Sequence, residues 1–345
     1  MAGWSGRGTP RRGDEEDALG ARAVLVGVVG LLAAGAVVSA GPTSAAPSAR
    51  DRARVAVGAD GYLYIAQDWT VACQDRGQAA RVGAAARDLT EALRTSGRQV
   101  VVVLGPNKST TVARHVPAAA PARDCGDAAR AAVWRALTTT ARSGFLDLRP
   151  ALATADRQVQ TYWRKDTHWT PTGGAVYARQ LARRLDPQLA KGLTTRPVTY
   201  TRDGDLAQVL QQPSHETVRG LQLVNPGVTV QELPYTDVGT EHPARRTVAL
   251  AAPGARVVPG RTLLIGDSFD STALEQLAPL FAQTEFLYPG ESGSDIAPVV
   301  RQVEQADTVV IEVVERFAER YRMFDPDAVA AVQAVPPRDL VRRVG

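Results

Sequence analysis

The sequence predicts an α/β fold with a parallel central sheet, helices on both faces in three layers, and a β-rich excursion. Three observations predict it. Compact apolar runs, Val100-Val101-Val102-Val103-Leu104 and Thr262-Leu263-Leu264-Ile265, read as strands buried on both faces. Stretches with helical periodicity alternate with such runs, as parallel strands joined by crossovers require. The alternation breaks only across residues 186–260, which are rich in Pro, Gly and Thr and lack helical periodicity.

In chain order, residues 1–22 form an Arg-containing polar segment, and the run from Ala23 to Ala40 is apolar and uncharged. A membrane-spanning helix needs about 17–25 residues, and this run is near the lower limit. Val38-Ser39-Ala40 also reads as a small-residue cleavage site, so cleaved signal and uncleaved anchor both stay open. Either way, the chain beyond about residue 50 is expected outside the cytoplasm, secreted or anchored to the membrane. Residues 41–54 read as a linker. The main domain spans 55–320, and 321–345 reads as a C-terminal tail. Within the domain, residues 55–58 and 61–64 flank a turn at Ala59-Asp60-Gly61, a β-hairpin pattern. Helix 78–94, strand 100–104, helix 127–141, strand 145–148 and helix 172–185 follow, the last opened by Pro171. After the excursion come strand 262–265, helix 271–282, strand 285–288, helix 295–304 and strand 308–313.

Hydrophobic residues make up 44% and charged residues 22%, with a formal charge of +4, ordinary values for a globular protein with a core. The basic residues are scattered, without the stripe or aromatic platform that nucleic-acid binding needs. Cys73 and Cys125 are the only cysteines. In an oxidising compartment an isolated pair predicts a disulfide worth about 3–4 kcal/mol.

Two segments carry the chemistry: Asp166-Thr167-His168-Trp169 and Gly266-Asp267-Ser268-Phe269. The second puts a serine hydroxyl between a strand and a helix N-terminus, where backbone N–H groups and the helix dipole stabilise an oxyanion. The first offers a histidine base for Ser268, with Asp166 two residues upstream to orient the imidazole. Of the four histidines, only His168 has a neighbouring Asp and flanking aromatics. The competing reading makes His168 and Asp166 structural, capping the helix that starts near Pro171. Tyr162, Trp163, Trp169 and Tyr177 gather around this loop, as packing residues or as stacking faces for sugar rings. Asp166, His168, Asp267 and Asp270 offer mixed N and O ligands, but without two-His spacing no metal is expected.

These motifs resemble the SGNH-hydrolase-like domain of the alginate O-acetyltransferase proteins, the AlgJ/AlgX family, over roughly residues 55–320. The shared elements are Gly58-Ala59-Asp60-Gly61-Tyr62-Leu63-Tyr64, Pro106-Asn107-Lys108-Ser109 and Lys165-Asp166-Thr167-His168-Trp169. Gly204-Asp205-Leu206, Gly266-Asp267-Ser268-Phe269 and Glu312-Val313-Val314-Glu315-Arg316-Phe317 complete the set. The resemblance implies an SGNH-type α/β/α domain in which Asp166, His168 and Ser268 form a catalytic triad. Gly105 and Asn107 become candidates for the oxyanion hole, and Lys108 and Trp169 for substrate contact. It further implies an extracytoplasmic O-acetyltransferase acting on a cell-surface or secreted polysaccharide through an acetyl-serine, with no cofactor. Its acetyl donor partner would be a membrane-bound O-acyltransferase. Two other readings use the same residues: a carbohydrate acetylesterase, and a non-catalytic polysaccharide-binding assembly subunit. Polymer would be held on the catalytic face or by the 186–260 excursion.

Overall fold

The computed structural model describes residues 48–338, apart from 75–76, 141–143, 241 and 291. The apolar run at 23–40 lies outside the described residues. Among the described residues no helix is long and apolar enough to cross a membrane.

The chain enters through α1 (Ala49–Arg54) into β1 (Val55–Val57), which pairs antiparallel with β2 (Leu63–Ile65). Next come α2 (Gln67–Thr70), α3 (Gln78–Thr95), β3 (Gln99–Gly105), α4 (Lys108–Thr111), α5 (Arg123–Thr139) and β4 (Phe145–Leu146). Two helices, α6 (Arg149–Asp156) and α7 (Pro171–Leu185), bracket the histidine loop. The excursion holds α8 (Pro187–Gly192), β5 (Thr194–Asp203), α9 (Asp205–Val209), β6 (His215–Val224), β7 (Val228–Thr236) and β8 (Ala244–Ala251). The chain closes with β9 (Val258–Ile265), α10 (Ser268–Leu277), β10 (Phe281–Leu287), α11 (Ala297–Gln305), β11 (Thr308–Val314) and α12 (Pro326–Gln333).

The main sheet has the order β4-β3-β11-β9-β10-β8-β7. From β4 to β10 every pairing is parallel, with Val310 of β11 level with Val101 of β3 and Leu264 of β9. The side chains of these strands alternate between two cores. Val101, Val103, Leu264 and Val310 face Tyr177, Leu181, Phe269 and Leu277 of α7 and α10. Val100, Val102, Leu263 and Ile311 face Leu89 of α3, Leu137 of α5, Val303 of α11 and Val332 of α12. Both faces are therefore covered, and the continuous apolar runs follow from that.

Three features differ from the sequence reading. The sheet is not parallel throughout: β8 and β7 add to it antiparallel beyond β10, contributed by the excursion. Antiparallel neighbours can be joined by a short loop, here residues 237–243, without a crossover helix. Of the excursion's strands, β5 and β6 stand apart as a two-stranded antiparallel ribbon. The helix placed at 271–282 starts instead at Ser268, and Phe281 already belongs to β10. Finally, the tail contains α12, whose apolar side chains Val329 and Val332 complete the core around α3.

Cys73 and Cys125 are disulfide-bonded across 52 residues, pinning the chain before α3 to α5. Reducing it in urea titrations is expected to lower unfolding free energy by about 3–4 kcal/mol, largely by loosening the unfolded chain.

Candidate active site

Parallel strands β3, β11 and β9 end at one edge of the sheet, and the chemistry collects there, as open α/β sheets arrange it. Ser268 is the first residue of α10, and unlike its buried neighbours Asp267 and Phe269 it is exposed. The Asp267 side chain caps the helix by accepting from Phe269 N at 2.8 Å, and its other oxygen accepts from Val314 N at 2.8 Å. One carboxylate thus fixes the turn to the end of β11. In the first turn of α10, Phe269 N is taken by the Asp267 side chain and Ser271 N donates to Asp267 O at 3.1 Å, so the positive end of the helix dipole and the Ser268 N–H are what the turn offers beside the hydroxyl.

The histidine loop is a small hairpin. Tyr162 and Trp169 form an antiparallel bridge, and Thr170 N donates to Thr161 O at 2.8 Å. Thr170, not His168 or Asp166, caps α7 by accepting from Gly173 N. His168 is thereby released from the capping alternative. Trp169 Nε1 donates to Phe269 O at 3.1 Å and its ring meets Phe269 edge-on at 4.8 Å, which ties the loop to α10.

Between these two segments runs a chain of hydrogen bonds. His168 Nε2 lies 2.8 Å from Ser268 Oγ, and His168 Nδ1 lies 2.7 Å from Asp166 Oδ1. The same Oδ1 accepts from His168 N at 2.8 Å. This is an Asx turn, and it explains the spacing: a carboxylate two residues upstream grips both the backbone and the ring of one histidine. The pattern assigns the proton to Nδ1 and leaves Nε2 to accept from the serine.

Sequence reading missed the outer supports of Asp166. Arg202, at the end of β5, donates from Nε to Asp166 Oδ2 at 2.8 Å, and Asp205 N approaches the same oxygen at 3.3 Å. Asp205 in turn accepts from Thr167 N at 2.8 Å and Thr167 Oγ1 at 2.6 Å. A Cβ on Gly204 would run into the Lys165 carbonyl, so only glycine lets the excursion come this close. Burial pushes the Asp166 pKa up, but His168 and Arg202 outweigh it and hold the carboxyl well below its usual range. The only sequence signal for this support is the short Gly-Asp-Leu element. Nothing in the sequence pairs Arg202 with Asp166.

The remaining sequence candidates divide differently. Lys108 is buried, its Nζ donating to the carbonyls of Trp163 (3.0 Å), Arg164 (3.1 Å) and Asp166 (2.7 Å). It braces the histidine loop and offers nothing to a ligand. Trp169 is 1% exposed and belongs to the core, as do Tyr162, Trp163 and Tyr177. Gly105 is buried against Glu312 and Phe269, which leave no room for a side chain. Asn107 is also buried. Its N donates to Glu315 Oε2 at 2.8 Å and its Oδ1 accepts from Arg316 N at 3.2 Å, while Nδ2 has no partner among the described residues.

Asp166, His168 and Asp205 bring ligand atoms within 4.8 Å of one another, the kind of set a cation takes. Their atoms already serve one another, Arg202 and Thr167.

A family model described as the SGNH hydrolase-like domain, acetyltransferase AlgX, matches residues 55–271, more than half of the chain. The chain belongs to this family. A probable alginate O-acetylase AlgJ from Pseudomonas syringae pv. tomato is 29% identical over 132 residues, 38% of this chain. That match spans only 33% of the AlgJ protein. The O-acetyltransferase domain of Pseudomonas putida AlgJ superposes with a TM-score of 0.51 at 18% identity, over 81% of this chain and 98% of that one. Bacillus cereus PatB1 gives 0.55 at 14% identity, over 77% and 97%. Pseudomonas aeruginosa AlgX gives 0.51 at 17%, over 81% and 66%. At these identities the AlgX-type likeness extends to the fold, a mixed α/β architecture around a mostly parallel sheet.

Beneath the serine turn of this AlgX-family domain lie Asp270 and Glu312, both fully buried. Burial, joined by the Asp267 charge, pushes Asp270 up to about 8 and raises Glu312 well above its ordinary value. A carboxyl raised on folding stabilises the native state below its unfolded pKa, about 3.9 for Asp, and loses that contribution as pH rises through the folded value. Asp270→Asn should therefore flatten the fall in melting temperature between about pH 4 and 8. Melting curves across that range would show a parallel fall in variant and wild type if Asp270 were ionised throughout.

Proposed function

We propose that this protein is an extracytoplasmic O-acetyltransferase that moves acetyl groups onto polysaccharide hydroxyls through an acetyl-serine. The observation that carries the reading is the continuous Asp166–His168–Ser268 hydrogen-bond chain ending on an exposed hydroxyl at a helix N-terminus. Membership of a family described as acetyltransferases supports the group transferred.

His168 Nε2 takes the proton of Ser268 Oγ as that oxygen attacks the donor carbonyl. The oxyanion forms against the Ser268 N–H and the positive end of the α10 dipole, with Asn107 Nδ2, which has no partner among the described residues, as a further candidate donor. His168 then protonates the leaving group, and an acetyl-serine remains. In the second half a sugar hydroxyl gives its proton to His168 and attacks the ester, and the proton returns to Ser268. Asp166 stays ionised throughout and stabilises the imidazolium. We assign the donor to a membrane-bound O-acyltransferase partner on the family resemblance. No step calls on a cofactor.

The exposure of Ser268 also favours a second reading, an acetylesterase in which water replaces the sugar. Acetyl transfer needs the acceptor to outcompete water at the same ester. An intact hydrogen-bonded triad weighs against a purely binding subunit.

Brief exposure to p-nitrophenyl acetate followed by intact-mass measurement should show one acetyl on the protein, mapped to Ser268 and missing from Ser268→Ala. Absence of both adduct and ester turnover in the wild type would remove the catalytic reading. Asp166→Asn should keep the fold while lowering turnover on the order of 10⁴-fold, because the imidazole loses its tautomer. Turnover within tenfold of wild type would show that Asp166 does not orient the base.

A further inference from the structure

The aromatic residues that the sequence places around the histidine loop are packed inside the protein. A different set lies beside Ser268, with Tyr235 exposed and Tyr288 and Phe317 half-buried. A cleft of about 530 Å³, within the usual range of about 300–1,000 Å³ for ligand sites, opens on Ser268 between the end of β10 and the β7–β8 pair. Tyr235, His242 and Arg245 from the β7–β8 segment line it together with Tyr288 and Phe317.

Tyr235 is 66% exposed, far more than a tyrosine with a packing role. Its position is built by the backbone. In the β7–β8 ladder Leu233 pairs with Arg246 and Thr236 with Ala244, so three steps on β7 match two on β8. The extra residue is a bulge that includes Pro234 and Tyr235. Such bulges re-aim a side chain, and proline is tolerated there because β7 is an edge strand. Tyr288, half-buried, packs beside His242 with ring centres 5.3 Å apart. Arg245, partly held by Glu232 at 3.4 Å, adds a guanidinium with further donors.

Resting on the acetyl-transfer reading, we infer that this cleft is the acceptor subsite, binding a pyranose ring of the polysaccharide on Tyr235 and Tyr288 with a hydroxyl at Ser268. Aromatic faces present flat apolar area to the C–H face of a sugar ring, and Arg245 and His242 are placed to hydrogen-bond its oxygens. The chemistry balances within the site: the sugar oxygen forms the new bond to the acetyl carbon, the bond to Ser268 Oγ breaks, and the sugar proton passes through His168 to that Oγ. The hairpin carrying Tyr235 lies outside the triad's support network, which comes from β5 and α9. Acceptor recognition and base activation are thus separate parts of one excursion.

The test uses p-nitrophenyl acetate as donor, with oligosaccharides cut from the de-O-acetylated surface polysaccharide of the source cell as acceptor. The readout is the ratio of acetyl moved to sugar over acetyl lost to water. Tyr235→Ala and Tyr288→Ala should each lower that ratio, and raise the acceptor KM, by about tenfold. Tyr235→Phe, which keeps the ring, should restore both. An unchanged ratio in the Ala variants, or transfer and hydrolysis falling together, would overturn the assignment. Binding of the same oligosaccharides to Ser268→Ala and to Ser268→Ala with Tyr235→Ala, measured by calorimetry, separates the two readings. A tenfold loss in the double variant supports the cleft even if no acetyl reaches sugar, a result that would sink only the transferase reading. Equal affinity in the two overturns the cleft.

Discussion

Lys108 carries its ammonium group into the interior at the carboxyl end of β3, where three carbonyl oxygens from residues 163, 164 and 166 receive its hydrogens. A charge taken out of water persists only where dipoles replace its hydration. Burial draws this group down to about 8, while Asp166 and Asp68 pull the other way. The loop that supplies those carbonyls also holds Asp166 and His168. Its backbone is therefore clamped to the strand edge from which α10 begins on the neighbouring side. If that clamp shifted, the 2.8 Å contact between His168 and Ser268 would shift with it.

The opposite side of the serine turn is governed by acids rather than a base. Asp267 is committed to two backbone N–H groups, while Asp270 and Glu312 are buried behind it with their pKa values raised. Kept neutral, these two carboxyls add no negative charge beside the site where an oxyanion would form. Ionised, they would oppose the helix dipole that favours it. Glu312 also occupies the space above Gly105, which explains a glycine at the end of β3 without a ligand.

Much of this organisation is legible in the chain, because it rests on local signals. The β-branched run at 100–104 and the strand–turn–helix around Ser268 both state their environment directly. The Asp-x-His spacing does so too, since an Asx turn needs only neighbours. The parts left open or missed depend on partners far along the sequence. Periodicity cannot say whether an aromatic near a histidine faces solvent, and Trp169 is spent on the Phe269 carbonyl, 100 residues away. Arg202 meets Asp166 only because a ten-residue ribbon, Thr194–Asp203 against His215–Val224, aims its end at the loop. The extra β7 residue that turns Tyr235 outward is a mismatch between two strands and is invisible in either alone.

The Asp166–His168–Ser268 chain and its support are assembled from three stretches far apart in sequence. Residues 166–168 come from a loop between helices, 202–205 from the end of a ribbon, and Ser268 from the start of α10 on the same face of the sheet, 100 residues beyond His168. Contacts of such sequence separation remove more chain entropy than local ones and so form at greater cost. An incompletely folded chain therefore has the serine and the histidine but no hydrogen bond between them. That contact is in this sense a property of the finished sheet, absent until β9 has registered against β11.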